Sequence, residues 1–159
     1  MLKYILPLLL ILTGCSVDNP SNEINMYTEP MTDSYGLTLE PSDNMYISFE
    51  TVSSLYQNTM ACMGMTAPAP TVAWKSFSEQ YIGGSWGVYI PTGELIWINT
   101  DSTVAERNVA SDTETLKHEY IHHILHMNGM GEESHAHASP LFAKCGLGVY
   151  VKDGVPTAK

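Results

Sequence analysis

Apolar residues recur every three or four positions between Pro41 and Met63, and no glycine or proline interrupts them. This spacing is typical of an amphipathic helix. Ser42 or Asp43 can cap its N-terminus, and Gly64 can end it. The pattern therefore predicts a long first helix.

A second helical pattern begins at Ser111 or Asp112, and Glu114 completes a capping-box pattern with Ser111. It continues to about Asn128, and Gly129 follows as a stop signal. One apolar face of this helix is predicted to pack in the core: Leu116, Tyr120, Ile124 and Met127.

Shorter patterns predict strands around these helices. Residues 71–77 alternate weakly, and residues 85–99 contain two runs rich in aromatic and β-branched side chains around a Pro-Thr-Gly turn, which is typical of a β-hairpin. Residues 130–139 are predicted to be a loop, Pro140 can begin a short helix, and 147–151 form a last strand. Together these elements predict an α+β fold with a small antiparallel sheet.

The first twelve residues, MLKYILPLLLIL, have the layout of an export signal. The next segment, ending Leu-Thr-Gly-Cys15, resembles the lipobox of bacterial lipoproteins, in which the chain is cut before the cysteine and the cysteine carries a lipid. The resemblance implies a signal peptide over 1–14 and a membrane anchor on Cys15 in the bacterial cell envelope. Ser16 stands where an aspartate would resemble an inner-membrane retention signal, so we expect the outer membrane.

Residues 15–40 are polar and proline-containing without sustained periodicity, which predicts a flexible tether ahead of a domain over 41–159. The chain has seventeen acidic and seven basic residues, for a net charge of −10. Residues 1–14 contain Lys3 and no acid, so without them six basic residues remain and the charge is six minus seventeen, or −11. This balance disfavours nucleic acid and anionic lipid as partners.

All six histidines lie between His118 and His137. His118 and His122 are four residues apart on the predicted second helix, so their side chains project from one face and can bind one zinc ion. Glu119 lies about 100° further round the helix, where it can act on a metal-bound water as a general base. Residues 118–122 therefore match the H-E-x-x-H pattern of zinc hydrolases.

A catalytic zinc ion usually takes three protein ligands, so a third must come from beyond the helix. The extended metzincin pattern would need glycine and histidine at the positions of Leu125 and Asn128, which excludes that family. The segment after the helix offers four candidates: His135, His137, Glu132 and Glu133.

Residues 118–146 resemble the C-terminal signature of small predicted zinc peptidases among bacterial lipoproteins, and more distantly that of SprT-type zincins. The shared layout is an HExxH helix, a short acidic loop, His-x-Ser-Pro-x-Phe and Cys-Gly. The resemblance implies a minimal zincin-like domain with His137 as the third ligand, His135 being the alternative, and Phe142 as a core aromatic that holds His137 against the helix. These peptidases often have an acidic residue three positions before the third histidine, where this chain has Ser134.

Two cysteines remain besides the lipidated one. Because an exported protein folds in an oxidising compartment, Cys62 and Cys145 are a candidate disulfide, and two buried free thiols are the alternative. The peptidase resemblance also places a partner cysteine at the position of Cys62, after a long helix.

The sequence thus predicts a zinc-dependent peptidase with one zinc ion on His118, His122 and His137 and with Glu119 as general base. We expect a monomer that holds a peptide or protein substrate along an edge strand, for which residues 94–99 are the candidate. The alternatives are a lipoprotein that binds zinc without turnover and a purely structural zinc site.

Overall fold

The computed structural model describes residues 24–77, 85–101, 107–146, 150–152 and 155–157. The described residues form a mixed α+β fold with four α-helices and three small sheets, which confirms the predicted class. The predicted signal peptide at 1–14 and the lipidation site Cys15 lie outside them. No helix in the described part of the chain is both long and apolar enough to cross a membrane.

The helices are α1 (Phe49–Met63), α2 (Val109–Met127), α3 (Gly131–His135) and α4 (Leu141–Cys145). The strands are β1 (Asn25–Tyr27), β2 (Met31–Thr32), β3 (Thr38–Leu39), β4 (Ser42–Met45), β5 (Thr71–Lys75), β6 (Gly87–Ile90), β7 (Leu95–Asn99), β8 (Tyr150–Lys152) and β9 (Val155–Thr157). β1 pairs with β4, β8 pairs with β9, and the others form a five-stranded sheet in the order β2-β3-β5-β7-β6. α2 packs against both α1 and the β6–β7 hairpin.

The five-stranded sheet is mixed, so the predicted antiparallel sheet is wrong. β6 and β7 do form the predicted hairpin, with Gly87 opposite Ile98 and Ile90 opposite Leu95. β7, however, pairs in parallel with β5, and β5 pairs in parallel with β3. Parallel neighbours need a crossover connection, and α1 lies in the one between β3 and β5. The sequence pattern of a hairpin does not indicate which further strand pairs with either of its two strands.

The predicted tether at 15–40 belongs in part to the folded domain. Its described part contains β1, β2 and β3, and Leu37 and Leu39 are fully buried in the core. The Asp33 carboxylate accepts the backbone N–H of Leu37 at 2.9 Å, which stabilises the β2–β3 connection. The predicted domain start at residue 41 is therefore wrong, because strands of two or three residues are too short to show a periodic pattern.

The first helix begins later than predicted. Ser42–Met45 form β4, and the N-cap of α1 is Ser48. The Ser42 hydroxyl accepts the backbone N–H of Trp74 at 3.0 Å, which joins β4 to β5 instead of capping a helix. Gly64 ends α1 in the left-handed conformation, as its position predicted.

α2 begins with a capping box formed by Asn108 and Ser111, three residues earlier than the sequence indicated. Asp112, predicted as an alternative cap, is instead buried and accepts hydrogen bonds from the Arg107 guanidinium and the Trp74 indole N–H. The predicted apolar face does pack in the core, where three of its members are fully buried: Leu116, Tyr120 and Ile124.

The segment after α2 is tied back to α1. The predicted disulfide joins Cys62 in α1 to Cys145 in α4, across 83 residues. In the chain-entropy model, a loop of this length stabilises the fold by about 4.5 kcal/mol. α4 is the predicted short helix after Pro140, whereas α3 lies within 130–139, where the sequence predicted a loop.

Candidate metal centre

The three predicted ligand histidines converge. His118 and His122 lie one turn apart on α2, and His137 follows α3. The Nε2 atoms of His118 and His137 are 3.1 Å apart, and both lie 3.0 Å from the Nε2 atom of His122. The corners of such a triangle lie about 1.8 Å from its centre, so one ion can stand 2.0–2.1 Å from all three nitrogens. These residues could therefore hold a metal ion.

His137 has a backbone conformation that usually belongs to glycine, with φ at 53°. The N–H of His137 bonds to the carbonyl of Ser134 at 3.1 Å, and the N–H of Ala138 bonds to that of Glu133 at 2.9 Å. These are the two bonds of a Schellman motif at the end of α3, whose left-handed position glycine normally fills because a Cβ there costs about 1–2 kcal/mol. The backbone strain therefore lies at one of the three histidines that could hold a metal ion, and such strain is common at functional sites.

Phe142 lies against all three imidazoles. Its ring centroid is 5.1 Å from that of His118, 4.8 Å from that of His122 and 5.0 Å from that of His137. Phe142 is itself buried, and its helix α4 ends at the disulfide. The predicted role of Phe142 as a core aromatic that supports His137 is confirmed by these contacts.

The three clustered histidines all have lowered pKa values. Burial, and then the neighbouring His137, lower the pKa of His118 to about 4. Burial, and then the other imidazoles, lower the pKa of His122 to about 3, and burial also lowers the pKa of His137. Only a neutral imidazole can offer a lone pair to a metal, so all three rings are in the binding form.

Ser134 is buried beside the ligands, at 4% exposure. Its Oγ lies 3.0 Å from Nδ1 of His122 and donates to the backbone carbonyl of the same residue at 3.2 Å. The sequence marked this position only as a departure from the peptidase pattern, because serine stands where an acid is frequent. The structure shows that the shorter, neutral side chain still reaches a ligand ring.

Glu119 is 5% exposed and lies against β6. Burial raises the pKa of Glu119 to about 8, partly opposed by a hydrogen bond from the backbone of Tyr89. Gly87 leaves room for this carboxylate, since a Cβ there would lie 3.0 Å from Oε1 of Glu119 and 2.6 Å from Cγ2 of Thr115. The predicted general base thus lies between the ligand helix and a strand.

That strand is the edge of the sheet, whereas the sequence indicated residues 94–99. β7, which contains 95–99, lies between β5 and β6, so the prediction is wrong. The N–H of Asn99 donates to the carbonyl of Trp86 at 2.9 Å, so Trp86 forms a hydrogen-bonded pair with Asn99. Hydrogen-bonded and non-hydrogen-bonded pairs alternate along an antiparallel ladder, so Gly87 and Tyr89 form non-hydrogen-bonded pairs with β7. Gly87 and Tyr89 therefore direct their N–H and C=O groups away from β7. Among the described strands, none pairs with that side of β6.

The remaining candidates lie outside the cluster. His135, the alternative third ligand, is exposed at the end of α3, so that alternative is wrong for this arrangement. Glu132 and Glu133 are exposed on the same helix. His123 is fully buried in the core, where its Nε2 lies 2.7 Å from the carbonyl of Pro68.

Comparison of the chain with protein-family models, with curated proteins and with solved structures found no match. The resemblance of residues 118–146 to small zinc peptidases therefore depends on the motif residues alone. The structure defines a class of site, namely a cluster of three histidines able to hold a metal ion, with a buried carboxylate next to the first of them in sequence.

Proposed function

We propose that the chain is a zinc-dependent peptidase with a minimal zincin-like domain and with Glu119 as its general base. The observation that supports this most strongly is the joint placement of three converging Nε2 atoms and a buried carboxylate that is not part of the ligand group. A site that only stores or senses a metal has no need of such a carboxylate, whereas hydrolysis requires a group that accepts a proton.

Zinc is the metal that the donor set fits best. Neutral imidazoles suit zinc, and catalytic zinc sites combine three protein ligands with one open position. When bound, zinc supplies Lewis acidity, which lowers the pKa of water toward about 7 and polarises a carbonyl group. His122 is oriented for this role, because Ser134 engages its Nδ1 and leaves Nε2 toward the other two ligands.

Glu119 has the properties of a base that a cation activates. Its pKa of about 8 describes a carboxyl group that burial keeps protonated. A positive charge next to a carboxyl group favours its ionised form, so metal binding and ionisation of Glu119 support each other. The ionised carboxylate can accept a proton from the attacking water and pass it to the leaving amine.

The outer edge of β6 supports an extended peptide as the substrate. Gly87 presents its N–H and C=O there and Tyr89 its C=O, directly beside Glu119, whose carboxylate accepts the backbone N–H of Tyr89. A peptide that pairs with this edge gains main-chain hydrogen bonds in any sequence, which is the logic of β-augmentation. The scissile bond would then lie beside the general base.

We also propose that a lipid on Cys15 anchors the peptidase in the cell envelope, at the outer membrane, as a monomer. The lipobox residues before Cys15 support the anchor. The acidic balance of the chain disfavours nucleic acid as a partner.

Hydrolysis of a mixed peptide library by zinc-loaded wild type, Glu119→Gln and Glu114→Gln tests the proposal. Glu114 is an exposed acid on the same helix and serves as the matched control. We expect Glu119→Gln to lose about 100-fold or more of the rate while keeping one zinc ion per chain, since general base catalysis contributes about 10²–10⁴-fold. Glu114→Gln should match wild type in rate and in zinc content.

Two outcomes contradict the peptidase. One is equal hydrolysis by wild type and Glu119→Gln, which would place the activity elsewhere. The other is no hydrolysis by any zinc-loaded variant, which favours the alternative of a lipoprotein that binds zinc without turnover.

A further inference from the structure

Ser134 contacts two of the three ligand histidines at once. Its hydroxyl bonds to the ring and to the backbone carbonyl of His122, and its own carbonyl accepts the backbone N–H of His137. The first ligand lies on α2 and the second in the left-handed turn after α3. Ser134 therefore joins the helical part of the metal centre to the returning segment.

The hydrogen bonds of Ser134 determine where His122 carries its proton. A hydroxyl group has a single proton, and that of Ser134 is donated to the carbonyl of His122 at 3.2 Å. With the hydroxyl proton on that carbonyl, the 3.0 Å contact to the ring suits Oγ as the acceptor of a proton on Nδ1. This arrangement favours the neutral tautomer with hydrogen on Nδ1 and with the lone pair on Nε2, toward the other two histidines.

His122 is distinctive among the ligands in this respect. Within the described residues, the ring hydrogen bonds of His118 and His137 involve only the Nε2 atoms that converge on the site. Hydrogen bonds to the outer nitrogen of a ligating histidine typically change metal affinity by about 10–100-fold. The single such contact in the described cluster is the one from Ser134.

We propose that Ser134 is the positioning residue of this metal centre, fixing the tautomer of His122 through its side chain and the place of His137 through its backbone. The proposal rests on the metal site of the proposed function and not on peptide hydrolysis. Because the partner is a neutral hydroxyl, His122 remains a neutral ligand, without the added basicity that a carboxylate partner gives.

Zinc dissociation constants of the full chain, measured by competition with a chelator, test the proposal. The variants are Ser134→Ala, Ser134→Thr and the control Ser139→Ala. Ser139 is also buried, but its hydroxyl accepts the backbone N–H of Leu141 and, among the described hydrogen bonds, makes none to the three imidazoles. We expect Ser134→Ala to weaken zinc binding about 10–100-fold, Ser134→Thr to recover most of the loss, and the control to stay within about threefold of wild type.

The tautomer of His122 gives a readout that mere packing would not change. ¹⁵N NMR of the zinc-free protein should show the proton of His122 on Nδ1 in wild type and a mixture of tautomers in Ser134→Ala. This measurement decides the proposal even if Ser134→Thr does not fold. An unchanged tautomer in Ser134→Ala, or equal loss of zinc affinity in Ser134→Ala and Ser139→Ala, would overturn it.

The result is separable from the fate of the peptidase. If wild type binds zinc, Ser134→Ala weakens that binding and no peptide is cleaved, the peptidase fails and the role of Ser134 stands. If peptides are cleaved by zinc-loaded wild type and Ser134→Ala binds zinc as tightly as wild type, the peptidase stands and the role of Ser134 is refuted.

Discussion

Glycine in place of His137 should relieve backbone strain as well as remove a ligand. The φ of 53° at this residue costs a side chain with a Cβ about 1–2 kcal/mol, and glycine pays no such cost. Against this gain, glycine lowers the free energy of unfolding by about 0.4–1 kcal/mol relative to alanine, because it gives the unfolded chain more conformational freedom. His137→Gly and His137→Ala both lack the imidazole, so the difference between them isolates the backbone. We expect the glycine variant to be more stable by about 0.5–1 kcal/mol.

The assay is urea unfolding of the oxidised protein with metal removed by a chelator. Ala136 provides the matched control, since it precedes His137 with φ at −79° in the ordinary helical region. Ala136→Gly should destabilise the protein by about 0.5–1 kcal/mol, the usual sign for this change. Opposite signs at two neighbouring positions are a sharp expectation, because both residues lie at the end of the same helix and differ in the sign of φ.

Zinc should then stabilise wild type more than His137→Gly. At a free zinc concentration one hundred times its dissociation constant, wild type gains about 2.7 kcal/mol, and a variant without the third ligand gains much less. The reasoning is refuted if His137→Gly is less stable than His137→Ala without metal. It is also refuted if zinc stabilises His137→Gly as much as wild type.

Three further changes test other contacts. Gly87→Ala should destabilise the protein by about 1–3 kcal/mol, because the new Cβ would lie 2.6 Å from Cγ2 of Thr115. Asp112→Ala should cost about 3–5 kcal/mol in urea unfolding, since it leaves the Arg107 charge buried and unpaired. In metal-free protein, the stability of wild type relative to Glu119→Gln should fall as pH rises from 4.5 toward 8, because the carboxyl is protonated in the fold and ionised in the unfolded chain.

Each of these has a control within the chain. Thr115→Ser removes the clashing methyl group and should restore most of the stability lost in Gly87→Ala. Glu114→Ala removes an exposed acid and should change stability by less than about 0.5 kcal/mol, unlike Asp112→Ala. A pH-independent difference between wild type and Glu119→Gln would show that the buried carboxyl keeps its ordinary pKa in the fold.

The parts of the site that could be predicted are those whose geometry is local. A helix fixes the relation of His118, Glu119 and His122 once their spacing is known, so residues 118–122 were sufficient. The third ligand depended on a resemblance, because the left-handed turn that carries His137 has no glycine to mark it. Ser134 was visible only as a missing acid, since hydrogen bonding by a buried hydroxyl has no spacing signature.

The same distinction holds for the fold. The hairpin over 85–99 was predictable because both strands and their turn are adjacent in sequence. The parallel pairing of β3, β5 and β7 joins residues far apart in the chain, and nothing in their alternation specifies their neighbours. For the same reason the sequence placed the edge of the sheet at β7 instead of β6, and assigned the short strands of 24–40 to a tether.

The disulfide between Cys62 and Cys145 also makes the support of the candidate metal centre sensitive to reduction. Phe142 contacts all three imidazoles and lies three residues before Cys145. Both residues belong to α4, a helix of only five residues that ends at Cys145. Reduction would remove the covalent anchor of α4, whereas His118 and His122 lie on α2, which this bond does not join. Reduction of this bond should therefore weaken the support of His137 first, because α4 would then keep only its non-covalent contacts.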